Sequence, residues 1–193
     1  MVVVEAPEGA ATEPITLADL KAHLRVQHEL EDGRLSAAIK GAREWLEGFT
    51  RRAIPQQLLH VFLDEWPADG VVELPRPPLQ ALVEVSYLPA AGGSYATATL
   101  GDFEVDATDP DRPGRVRLAS GATAPAVRAT WNAWRLKVRA GYATVPADLA
   151  SAVRLMAGHL YEHPVPLVDS APEPLAFSLE ALAYPFRVLR WDL

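Results

Sequence analysis

The chain of 193 residues contains no cysteine. That excludes a disulfide framework, a thiolate-bound metal and a cysteine nucleophile. It also lacks any stretch approaching the roughly 20 apolar residues of a membrane-spanning helix. Basic clusters are missing too. Acidic residues number 25 against 18 basic ones, for a net charge of −7 that is spread evenly along the chain. No block of positive charge exists to neutralise a run of phosphates, which argues against tight nucleic-acid binding. Lysine is scarce: only Lys21, Lys40 and Lys137 among the 18 basic residues. With abundant alanine and proline, that bias reflects a GC-rich genome rather than chemistry. Neither G-x-G-x-x-G nor a G-K-[ST] ending accompanies Gly92-Gly93, so no phosphate loop is expected. No G-x-S-x-G elbow is present for a serine hydrolase. The Met1–Val4 start has no basic region and runs into Glu5 and Glu8, so it does not read as a signal peptide. A soluble protein made inside the cell is the expectation.

What is present divides into helical ends and a β-rich middle. Residues 1–14 hold Ala, Glu, Pro and Gly without periodicity and read as a mobile arm. Thr16 and Asp19 then form a capping box, with Ile15 and Leu20 as a hydrophobic staple. Leu17, Leu20 and Leu24 make a short stripe, and His28–Gly33 a polar turn. In the second helix Leu35, Ala38, Ile39, Ala42, Trp45, Leu46 and Phe49 fall on one apolar face. The spacing predicts Trp45 buried there against Val153 and Met156. It places Lys40–Glu44 and Arg43–Glu47 on the opposite side at i,i+4. Pro55 ends the element.

The period then changes to two. Leu58–Trp66, Val71–Leu74, Leu82–Leu88, Tyr95–Leu100, Phe103–Asp106, Arg115–Leu118 and Trp134–Ala140 are strand candidates. Arg115 and Arg117 alternate with Val116 and Leu118, and Arg135, Lys137 and Arg139 with Leu136 and Val138, as in half-buried strands with one wet face. Asp109-Pro110 and Pro113-Gly114 mark turns, and Pro75–Pro78 a stiff connector. Seven short strands suggest a small sandwich or barrel-like lobe. Helical period returns at Pro146, with Leu149, Ala152, Val153, Met156, Ala157, Leu160 and Tyr161 as the stripe. Residues 164–176 are proline-rich and read as extended, and Ser178–Ala183 as one more short helix.

The sharpest enzymatic signal is His159-Leu-Tyr-Glu162-His163, an H-x-x-E-H pattern in which two histidines share a helix face and Glu162 could act as base. Pro164 follows at once, and the candidate for a third ligand on a later helix, Glu180, sits on a short element. Histidines in a last turn also complement the negative end of a helix, which is the commoner reading. Asp102, Glu104, Asp106, Asp109 and Asp111 cluster around a turn. Phe103, Val105 and the prolines break any calcium-loop pattern, so a solvated loop is expected. Arg51-Arg52 at a helix end reads as pairing with carbonyls. Trp131 and Trp134 could stack on a sugar, but such residues are more often core and rim of a β lobe.

Three stretches together carry a family resemblance. Pro14-Ile-Thr-Leu-Ala-Asp-Leu-Lys-Ala-His-Leu-Arg-Val26 leads through an acidic turn to Ala42-Arg-Glu-Trp-Leu-Glu-Gly-Phe-Thr-Arg-Arg52. Leu74-Pro-Arg-Pro-Pro-Leu79 precedes a Val-rich strand. Ala140-Gly-Tyr142 precedes Val145-Pro-Ala-Asp-Leu149 and Gly158-His-Leu-Tyr-Glu162. In order and spacing this resembles the head–tail connector (neck adaptor) proteins of long-tailed phages and gene transfer agents. The resemblance implies an α+β fold: a bundle of three to four N- and C-terminal helices with a central β-rich insertion of short antiparallel strands. It divides the chain into a flexible arm (1–14), a helical adaptor core (15–55 and 145–163), a β-rich insertion lobe (56–144), and a Pro-rich linker with a C-terminal docking tail (164–193).

It also implies a noncatalytic structural protein of the virion neck, made in the host bacterial cytoplasm. Such proteins form a ring, typically twelve-fold, between the portal and the tail-side stopper or terminator protein. DNA passes through without sequence-specific binding, and no cofactor, metal or membrane is involved. A negative lumen would repel the duplex in transit. A zinc-dependent hydrolase built on His159, Glu162 and His163, and a carbohydrate-binding β module, are the alternatives from other classes. For the portal-docking tail the expected residues are Phe177, Leu182, Tyr184, Phe186, Arg187, Leu189, Arg190 and Trp191, standing off from the body rather than joining its core. For contacts between subunits they are Arg43, Glu44, Glu47, Arg115, Arg117, Arg135 and Arg139, since arginine favours interfaces.

Overall fold

A computed structural model describes residues 3–4, 12–163 and 174–188, with 3–4 and 174–178 described by backbone alone. The chain forms two compact units. One comprises residues 12–55 and 142–193, the other residues 1–11 and 56–141.

The first unit is helical. Helix α1 (Leu17–Leu24) opens on the capping box expected from sequence: Asp19 N donates to Thr16 Oγ1 at 3.0 Å and Thr16 N to Asp19 Oδ2 at 3.0 Å. Arg25, left-handed at φ 58°, closes it. Helix α2 (Asp32–Thr50) packs on α3 (Ala147–Glu162), and α4 (Pro174–Ala183) packs on both. Helix α3 starts just after Pro146, which has no amide to leave unpaired. The core joins Ile15, Leu20, Leu35, Ile39, Leu46 and Ile54 to Leu149, Val153, Ala157, Leu179 and Ala183. Ile15 and Leu20, the expected staple, both lie in it.

Four expectations are corrected by the helical unit. Trp45 is 40% exposed and stacks on Phe49, with ring centroids 5.4 Å apart, instead of filling the core. Arg43 and Glu47 are buried rather than on an outer face. Residues 179–188 do not stand off as a free tail. Leu179 and Ala183 are buried, Val188 N donates to Thr50 O at 3.0 Å, and the Arg187 guanidinium lies 5.3 Å over the Phe49 ring. Helix α4 also begins four residues earlier than the pattern suggested, because Pro174 is tolerated in a first helical turn.

The second unit is antiparallel β. Strands β1 (Val3–Val4), β2 (Gln57–Leu63), β4 (Leu79–Tyr87), β5 (Ala96–Thr97) and β8 (Trp134–Ala140) form one sheet in the order β1-β2-β8-β4-β5. Strands β3 (Val71–Leu74), β6 (Phe103–Asp106) and β7 (Gly114–Leu118) form another in the order β3-β7-β6. The two-residue period holds in β2, where Leu59, Val61 and Leu63 are buried and alternate with His60 and Phe62. Trp66 contacts Phe103 and Trp134, and Trp134 contacts Tyr87, tying the sheets together with aromatic rings. Gly114 allows a close approach of the two sheets: a Cβ there would collide with the Leu79 side chain.

Candidate functional site

The H-x-x-E-H residues close α3. The rings of His159 and His163 are 4.7 Å apart, and His163 N donates to His159 O at 2.9 Å. The adjacent Tyr161 instead braces the α1–α2 turn: its hydroxyl donates to Glu31, which pushes the phenol pKa up, and its carbonyl accepts from Arg34 Nη2 at 2.7 Å. Among the described residues no group of three or more His, Asp or Glu side chains is arranged to hold a metal.

The acidic turn is engaged in its own structure. Asp106 Oδ1 accepts from the amide and hydroxyl of Thr108, and its Oδ2 pairs with Arg115 at 2.6 Å. The Thr108 hydroxyl first, then Arg115, hold the Asp106 carboxyl down at about 2. Asp109 Oδ1 caps the amide of Asp111 and Oδ2 pairs with Arg112. Arg52, in the expected helix-end pair, is 2% exposed and donates through Nε to the carbonyl of Phe186.

What remains is surface. Of the residues expected between subunits, Arg43 and Glu47 are withdrawn from it. Arg43 Nη1 donates to Glu47 Oε2 at 2.9 Å and its Nε to Glu13 Oε2 at 3.0 Å, while Glu47 Oε1 accepts the amide of Ile54 at 2.9 Å. Burial alone would lower the Arg43 pKa, but the Glu13 bond and the surrounding carboxylates outweigh it and raise it. Glu44 stays more than half exposed. In the β unit the arginines are outside. On the wet face of the three-stranded sheet, Arg117 pairs with Glu104 and Arg115 with Asp106, each at 2.6 Å. Arg135 reaches Glu84 at 3.2 Å and lies over the Tyr95 ring, and Arg139 is exposed. The Ser86 hydroxyl first, and Arg135 after it, lower the Glu84 pKa.

Of the expected docking residues, Tyr184 and Arg187 are exposed, and Leu182 and Phe186 are half-buried against the helical core. Leu189, Arg190 and Trp191 lie outside the described residues, as do residues 164–173 of the linker, and the Phe177 side chain is not described. The two tryptophans weighed as a sugar platform separate: Trp134 is buried at 4%, and Trp131 is 85% exposed on the turn before β8. Leu30, at 93%, is another large apolar side chain left in water. Neither exposure was legible, since a lone apolar residue in a turn has no period to place it.

Residues 14–87 match the family model described as phage gp6-like head-tail connector protein. No curated protein matches the chain. Solved chains that share the fold nearly end to end include three from gene transfer agent particles. One, from the neck of an empty gene transfer agent particle computed with C6 symmetry, is 23% identical with a TM-score of 0.75. One, from the virion of a native gene transfer agent particle, is 23% identical with a TM-score of 0.77. One, from the neck of a native particle computed with C12 symmetry, is 25% identical with a TM-score of 0.76. Each match covers 98% of this chain and 96% of the other.

Proposed function

We propose that this chain, whose residues 14–87 match the phage gp6-like head-tail connector model, is a noncatalytic connector in the neck of a phage or gene transfer agent particle. The observation that carries this reading is the agreement of that family match with a fold shared over 98% of the chain with gene transfer agent neck proteins. The resemblance read from three separated stretches of sequence points the same way.

In this reading identical subunits form a closed ring between the portal and the tail-side stopper or terminator. Necks of similar chains computed with C6 and C12 symmetry support a twelve-membered ring. A ring needs two different patches per subunit, because each copy meets its neighbours through unlike surfaces. The net charge of −7 suits a channel that lets a duplex slide without adhering. Tyr184 and Arg187 supply an exposed aromatic and an exposed cation for the portal.

Sedimentation of the purified chain with portal from the same particle tests the reading. The expected result is a portal-dependent complex with a fixed, symmetric number of connector subunits. A chain that stays free at every ratio overturns it. Glu162→Gln is expected to assemble as the parent does, since the reading gives that carboxylate no chemistry.

A further inference from the structure

On β7 the side chains of Arg115 and Arg117 stand on the same face, two residues apart. Val116 between them is fully buried and points the other way. At the rise of a strand their stems are about 6.8 Å apart. An aromatic ring packs at about 3.5 Å from a partner on each side, so two arginine side chains rising at that spacing leave room for one ring between them. The guanidiniums are held in place. Asp106 fixes Arg115 and Glu104 fixes Arg117, each at 2.6 Å. These residues and Val71 line a cleft of 290 Å³. That lies below the roughly 300–1,000 Å³ of small-molecule sites and suits a single large side chain. Its two arginines are matched by carboxylates, so it does not suit a phosphate.

The same unit carries a side chain of that kind. Trp131 is 85% exposed, yet its turn is tightly built. Asn132 is left-handed at φ 52°, its amide donates to Asp64 Oδ1 at 2.9 Å, and its carbonyl accepts from the Tyr95 hydroxyl. Next to it Ala133 is fully buried, and its carbonyl accepts the amide of Leu88 at 2.8 Å. A large apolar ring presented on a fixed turn loses little freedom on binding, and tryptophan is among the residues that dominate interfaces.

We infer that Trp131 of one subunit inserts between Arg115 and Arg117 of the next copy. The indole stacks between the guanidiniums and its N–H donates to Glu104 or Asp106. Knob and slot share no residue, so the contact is heterologous and repeats from copy to copy, as a ring requires. The inference rests on the connector reading and names the occupant of two of its expected interface residues.

Complementation tests it. Trp131→Ala keeps the slot and loses the knob; Arg115→Ala/Arg117→Ala keeps the knob and loses the slot. Sedimentation velocity of the wild type at rising concentration is expected to show association, with the midpoint raised about 30-fold or more in either variant. Mixed one to one, the variants should form a heterodimer and nothing larger, because each supplies one half of one contact. Arg115→Lys/Arg117→Lys, which keeps the charge but not the planar stack, should recover only part of the association. Thermal melts of the variants should match the wild type, since the altered side chains are exposed. The inference is overturned if the wild type stays monomeric throughout, if either variant associates like the wild type, or if the mixture does not pair. A Trp131→Ala chain that still joins a portal-dependent ring overturns this contact and leaves the connector reading standing, whereas failure of the wild type to join portal removes that reading itself.

Discussion

The two units use charge in opposite ways. In the helical unit Arg43, Glu47 and Arg52 are buried and bond to backbone and to each other. In the β unit Glu104, Asp106, Arg115 and Arg117 pair just as closely, but in water. A buried pair that loses one member leaves a charge or donor stranded. An exposed pair loses little, because solvent replaces the partner. The difference teaches that distance does not decide what an ion pair does. The helical charges lock a fold, and the sheet charges order an exposed surface.

The comparison is broken most severely at Arg43. Arg43→Ala is expected to cost about 3–5 kcal/mol in a urea melt, because Glu47 is left buried without the guanidinium that neutralises it. A cost below about 1 kcal/mol would mean that water reaches Glu47. Next comes the C-terminal helix. Leu179→Ala is expected to cost about 2–5 kcal/mol, the range for a buried leucine. An unchanged melt would return residues 174–188 to the role of a free tail. Trp45→Ala, by contrast, is expected to cost clearly less than Leu179→Ala, since Trp45 is 40% exposed.

These corrections show what the sequence carries and what it does not. The α2 and α3 stripes and the alternation in β2 and β7 were legible because each repeats with the period of its element, and the Thr16–Asp19 box because its residues stand at the fixed spacing of a helix start. The burial of Arg43 was not. Its face was assigned from polarity, yet Arg43 and Thr50 lie within the arc centred on Ile39. Trp45 lies about 120° from Ile39 at roughly 100° per residue. Polarity misplaces a charge whenever the fold supplies it a partner, and Glu13, thirty positions away, cannot be paired with Arg43 by spacing. The tail failed for a related reason. An apolar segment after a proline-rich stretch packs on something, and sequence does not say on what. Of the contact proposed between subunits, the arginines of β7 were legible by alternation; the exposure of Trp131 was not.

In the β unit the expected effects are smaller. Gly114→Ala is expected to destabilise by about 1–3 kcal/mol, since the added methyl meets Leu79 and the sheets must shift. Arg115→Ala/Arg117→Ala should leave the melt unchanged, and a large loss would erase the contrast between the units. The smallest effect is a titration. Asp106 is held at about 2, below its ordinary 3.8. Its folded form is therefore the more acidic, so its contribution is complete above pH about 4 and fades as pH falls through about 2. Carboxyl-detected NMR should give that midpoint. Thr108→Val should raise it more than Arg115→Ala does, because the hydroxyl is the larger cause.

The central claim is a place in a particle. Electron microscopy of purified particles carrying a gold-labelled form of this chain tests it most directly. The account expects label at the junction of capsid and tail, with the same number of copies in every particle. Label scattered over the capsid or along the tail, or complete particles without the chain, would contradict it.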